Sequence, residues 1–135
     1  MPRFKSRVDG LKSRVPHWCC NGCGSVFTKV KPGVCTNCRV SGKYTYFPSR
    51  KEYNRYVELT LLETSGHIDA GSLELQPAYK LHVGGRSFKV SFDFRYRIHG
   101  KEVIEDVKTS GTNTDLSKIK RAMAETEYGI KVVLV

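Results

Sequence analysis

The sequence predicts a mixed α/β domain of order α-β-β-β-α-β behind a small cysteine-rich module. Three observations predict it. Along residues 47–135 the apolar residues switch from a helical period to a strand period and back. Turn residues at Ser65-Gly66, Gly84-Gly85, His99-Gly100 and Gly129 separate those segments. All five cysteines fall between positions 19 and 38. The plan is a basic flexible arm over 1–15, a cysteine module over 16–46 and an α/β core over 47–135.

Each core element has a local reason. Ser49 is a good N-cap for a helix opening at Arg50-Lys51-Glu52, and Tyr53, Tyr56, Val57, Leu59, Thr60 and Leu61 give it an apolar stripe to about Thr64. Ser65-Gly66 ends it. A strand follows over 73–83, with Pro77 marking a bend, bulge or edge position. Gly84-Gly85 suits a hairpin turn. Residues 88–98 alternate, with Phe88, Val90, Phe92, Phe94 and Tyr96 on one face and Lys89, Ser91, Asp93, Arg95 and Arg97 on the other. A third strand spans 102–108, and 109–113 is a polar loop. Asn113 or Thr114 caps a second helix over 115–128, with Leu116, Ile119 and Met123 expected toward the core. Gly129 stops it. The β-branched run 130–135 is expected to be a buried strand, and the chain has no internal repeat.

Within the cysteine module, Cys20-x2-Cys23-x11-Cys35-x2-Cys38 is two C-x-x-C knuckles on a short loop. Zn²⁺ takes four soft ligands in a tetrahedron, and each knuckle supplies two from one tight turn. A zinc ribbon with one structural Zn²⁺ on Cys20, Cys23, Cys35 and Cys38 is expected. A disulfide pair is the weaker alternative, because the cysteine count is odd and nothing points to an oxidising compartment. Cys19 is spare, and His17 is a conceivable substitute ligand.

The 135 residues carry a net charge of +10. Nine Lys and Arg against Asp9 place +8 of it in residues 1–48. That bias favours phosphate-rich partners, nucleic acid first, with a solubilising tail as the bland reading of the arm. No apolar run has the length of a membrane span, so a cytoplasmic protein with no membrane partner is expected. Trp18 is expected to pack on the ribbon, although it, Tyr44 and Tyr46 could also stack on bases. The histidines form no triad-like set and no G-x-S-x-G motif occurs, which leaves a serine or cysteine hydrolase unsupported.

Three polar residues of the core carry chemistry. Asp106 and Lys108 are two apart and project from one face of a strand, and a hairpin brings Asp93 toward Asp106. Two carboxylates and an ammonium on one sheet face suit a hard cation such as Mg²⁺. The competing reading is an ordinary ion pair on an exposed sheet.

Taken with the element order, Asp93 followed by Asp106-Val107-Lys108, behind a Glu-bearing helix, resembles the PD-(D/E)XK nuclease superfamily. The likeness covers about 47–135. The segments FPSRKEYNRYVELTLLE, LELQPAYKL and FDFRYRIHGKEVIEDVK are similar to small phage-encoded members related to phage endonuclease I and other Holliday-junction resolvases. The resemblance implies a restriction-endonuclease-like core, a mixed sheet flanked by helices. It also implies Mg²⁺- or Mn²⁺-dependent endodeoxyribonuclease activity on branched or junction DNA, in phage recombination or replication, by a homodimer. It assigns Glu52, Asp93, Asp106 and Lys108 to catalysis. Asp93, Asp106 and the Val107 carbonyl are the implied ligands of the catalytic metal. Glu105-Asp106 offers two acids for the D-x-K motif, and parity with Lys108 selects Asp106. Gln76 matches a glutamine of the small members without a defined role. Glu52 also fits a capping box, Ser49-x-x-Glu52, which needs no metal. The alternatives to an enzyme are a non-catalytic zinc-ribbon DNA-binding module and a phage DNA-packaging or processing accessory.

Overall fold

The computed structural model describes residues 15–28, 33–108 and 112–135. The expected arm lies, but for residue 15, outside the described residues, as do residues 109–111 of the polar loop. The chain divides into two compact units whose boundary falls between Val57 and Glu58. Among the described residues there are two helices and several small sheets, and no helix is long and apolar enough to cross a membrane.

The first unit is built on a three-stranded antiparallel sheet of order β2-β1-β3, with β1 at His17–Cys20, β2 at Val26–Thr28 and β3 at Tyr44–Phe47. Aromatics staple this small sheet. Trp18 and Tyr46 lie opposite each other with ring centroids 5.3 Å apart, which is the packing role expected for Trp18. Helix α1, Arg50–Thr64, begins at the predicted cap, where Ser49 Oγ accepts the Glu52 N–H at 3.2 Å. Its first turns join the sheet through rings: Tyr53 stacks on His17 at 5.1 Å and Tyr56 meets Phe47 at 4.8 Å.

In the second unit α1 ends at the predicted Ser65-Gly66, Gly66 taking a φ of +84°. The two long strands expected next are each broken once. The first becomes β4 (Glu74–Leu75) and β5 (Ala78–Val83), interrupted at Gln76-Pro77. The second becomes β6 (Arg86–Ser91) and β7 (Phe94–Ile98), interrupted at Phe92-Asp93. Strands β5 and β6 pair as a hairpin, whose Gly84-Gly85 turn has φ of +55° and +77°. Strand β8 (Lys101–Asp106) follows β7, and β9 (Val132–Leu134) lies parallel to β8 after helix α2 (Asp115–Tyr128). The four-stranded sheet has order β4-β7-β8-β9.

The break at Phe92-Asp93 is a bulge. Asp93 N–H donates to the Glu105 carbonyl at 3.1 Å while Phe94 is also the register partner of Glu105, so two residues oppose one. The alternation read as one apolar face is therefore divided between two. Val90 and Phe92 enter the core cluster with Tyr79, Leu81, Ile104, Ala124 and Val132. Phe94 and Tyr96 lie on the opposite face of the sheet, on the side of Glu105.

Two further expectations are corrected. Leu116 and Ile119 do not face the core, being 60% and 57% exposed. Helix α2 instead turns Ala124, fully buried, and the half-buried Ser117 and Arg121 inward, a set with i, i+4, i+7 spacing, while Met123, of the three expected residues, packs against the core cluster. The 130–135 run is not buried throughout. Val132 is buried, but Val133 and Leu134 are exposed, because β9 is an edge strand paired on one side only.

Candidate functional site

The four knuckle cysteines converge. Their Sγ atoms all lie within 4.8 Å of one another, with Cys20–Cys38 at 3.9 Å and Cys23–Cys35 at 3.7 Å. Zn–S bonds of about 2.3 Å in a tetrahedron require sulfurs about 3.8 Å apart. A disulfide needs about 2.0 Å, and all five cysteines are free thiols. Local backbone geometry makes the cluster. Gly24 N–H donates to the Cys20 carbonyl at 2.9 Å, and Arg39 N–H to the Cys35 carbonyl at 2.8 Å. A Cβ at Gly22 would meet Ser41 Cβ at 2.9 Å, so only glycine fits there. The Ser25 hydroxyl lowers the Cys23 thiol to about 6, favouring the thiolate that binds metal. The set could hold a structural zinc. Neither spare candidate joins it: the Cys19 thiol points to the Gly24 carbonyl at 3.7 Å, and His17 Nδ1 is 2.8 Å from the Val15 carbonyl.

In the second unit, Asp93, Asp106 and Lys108 come together as their spacing implied. Asp93 sits in the bulge and not mid-strand. Its backbone is tied on both sides, the Gln76 N–H donating to its carbonyl at 2.9 Å from across the break. Gln76 makes that contact with a φ of +50°. The Asp93 carboxylate accepts the Val107 N–H at 2.6 Å, which ties Asp93 to the D-x-K segment. Asp106 is 7% exposed, shares a hydrogen bond with Asp93 and pairs with Lys108 Nζ at 3.1 Å. Burial and the facing Asp93 carboxyl push Asp106 from near 3.8 up to about 6, against the opposing pull of Lys108. The end of β9 fixes this segment: Val135 N–H donates to the Asp106 carbonyl and Lys108 N–H to the Val135 carbonyl, both at 3.1 Å.

Glu105 takes the other direction. It is 1% exposed and accepts a short hydrogen bond from the Tyr96 hydroxyl on the opposite sheet face, so Asp106 is the acid that joins Lys108. Glu52 is buried in the first turn of α1, where its N–H makes the capping bond described above.

A cleft of about 290 Å³ opens beside Asp106 and Lys108. Its walls include Lys89 and Ser91 of β6 and Ser117 and Lys120 of α2. The role of these four was not read from the sequence. Lys89 and Ser91 share the polar parity of Asp93, which was a usable signal. Lys120 had none, since nothing local indicates which face of α2 reaches the cleft.

A family model described as "Protein of unknown function (DUF1064)" matches residues 37–133. Among curated proteins the chain is similar to "DNA replication licensing factor MCM2" of Oryza sativa, subspecies indica and japonica. Each is 36% identical over 69 residues, covering 45% of this chain and 7% of the relative. The Arabidopsis thaliana protein of the same name is 34% identical over 62 residues, covering 40% and 7%. The chain thus spans a small fraction of the length of these relatives. No solved structure matches.

Proposed function

The chain belongs to the DUF1064 family of proteins of unknown function, and we propose that it is a metal-dependent endodeoxyribonuclease with a restriction-endonuclease-like core and an N-terminal zinc ribbon. One observation carries this reading. Two carboxylates, Asp93 and Asp106, face each other beside an ammonium, and burial together with the facing Asp93 carboxyl holds Asp106 near pKa 6. Such a pair is a donor set for a hard divalent cation. When bound, Mg²⁺ or Mn²⁺ supplies a water of lowered pKa and offsets charge on a phosphate.

The chain's own groups have defined parts. Asp93 and Asp106 hold the cation, with the Val107 carbonyl as a further oxygen. The Val107 N–H keeps Asp93 aimed at that position. Lys108 Nζ orients the attacking water and stabilises charge developing on the phosphate. Glu52 enters the proposal from the superfamily resemblance alone, as do the branched or junction substrate and the homodimer. The plant relatives are named as DNA replication factors, which agrees with a DNA partner.

The test is incubation of the purified protein with four-way junction, nicked, single-stranded and linear duplex DNA, with and without Mg²⁺ or Mn²⁺. Cation-dependent cleavage is expected, and Lys108→Ala should lower it by orders of magnitude while DNA binding persists. Binding without cleavage of any substrate would instead make the protein a non-catalytic DNA-binding module.

A further inference from the structure

We infer that the cleft between β6 and α2 is a binding subsite for the sugar–phosphate backbone of the cleaved strand, with Lys89 and Lys120 as its phosphate ligands. The inference rests on the nuclease reading and assigns residues that reading does not use. The cleft is lined by the Asp106–Lys108 pair together with residues of one strand, β6, and one helix, α2. Three of its lining residues are lysines and one is an acid. That acid, Asp106, is already matched by Lys108 at 3.1 Å. Lys89 and Lys120, one on each wall, are therefore surplus positive charge. Among the described residues neither takes part in an ion pair.

The remaining polar lining suits the same ligand. The Ser91 and Ser117 side chains add hydroxyls that can donate to phosphate oxygens. The cleft meets α2 in its first two turns, where the helix dipole is positive and the Thr114 side chain caps the Ser117 N–H. A phosphodiester lying at the carboxylate pair would have its neighbouring phosphate directed along this basic channel. An apolar ligand would leave the lysines unmatched, and a cation would be repelled by them.

The experiment measures binding of duplex and four-way junction DNA by fluorescence anisotropy across a salt series. It uses the Lys108→Ala chain, so that no cleavage intervenes, with and without Lys89→Ala and Lys120→Ala together. Lys89 is exposed and Lys120 half-buried, and equal melting temperatures serve as the folding control. Each phosphate contact contributes about 0.9 to the slope of log affinity against log salt. The double substitution should flatten that slope by about 2 and weaken binding at least tenfold at low salt. In the Lys108-containing enzyme it should raise KM more than it lowers kcat, and Lys89→Arg with Lys120→Arg should restore KM. Cleavage by the unsubstituted enzyme, combined with an unchanged slope and KM in the double variant, would overturn the subsite and leave the nuclease reading standing. Failure of the unsubstituted enzyme to cleave any of the substrates would remove the nuclease reading, and the subsite with it.

Discussion

Replacing Asp106 by Asn should stabilise the protein in the absence of divalent cation. The Asp106 carboxyl is buried against Asp93, and its proton affinity rises from near 3.8 to about 6 on folding. Below pH 3.8 the group is protonated in both the folded and the unfolded chain, and the favourable contribution of the folded site is fully present. Between 3.8 and 6 the folded chain keeps the proton while the unfolded chain has lost it, so stability falls as pH rises. Above 6 that contribution is gone. A change of that size in proton affinity corresponds to about 2–3 kcal/mol. Asparagine has the same shape, keeps a donor toward Asp93 and carries no charge, so it should recover that amount at pH 8. The assay is urea unfolding of both proteins from pH 4 to pH 8, in buffer free of Mg²⁺ and Mn²⁺ and with the cysteine site left loaded. The stability difference should be small near pH 4 and grow to its full value by pH 7. Adding Mn²⁺ should then stabilise the Asp106 protein and leave the Asn variant unmoved. A variant no more stable than its parent at pH 8, or a difference independent of pH, would refute the assignment of strain to this carboxylate pair.

Two further outcomes concern structure. Cys35→Ser removes a fully buried member of the four-sulfur cluster; zinc released by a thiol reagent should fall from one ion per chain to well below one, and protease should then cut within residues 16–46. Leu81→Ala empties a fully buried position in the second unit's core, beside Tyr79, Val90 and Phe92, and should cost about 2–5 kcal/mol in urea unfolding.

Local rules carry the parts of this protein that were legible in its sequence. Ser49 and Thr114 begin the two helices, and Gly66 and Gly129 follow their ends, because caps depend on neighbours within one turn. The cysteine spacing foretold a four-sulfur cluster because each knuckle is a single tight turn. Asp106 and Lys108 share a side because two residues is the strand period, and that period holds although β8 ends at Asp106. Pro77 announced an interruption and Gly84-Gly85 a hairpin for equally local reasons.

What the sequence by itself determined, then, was the succession of helical and extended segments, the ends of the two helices, and which residues were chemically equipped. Tertiary structure decided which of them meet. The alternation over 88–98 runs unbroken in the sequence, yet the bulge opposite Glu105 sends Val90 and Phe92 to one face and Phe94 and Tyr96 to the other. Register with β8 creates that bulge, and no residue near Phe92 encodes it. The apolar Leu116 and Ile119 lost the core to Ala124 because close approach between helix and sheet favours a small side chain over a larger one. The same helix rotation brings Lys120 to the cleft beside Asp106. Such outcomes depend on the shape of a distant partner surface, which no window along the chain contains.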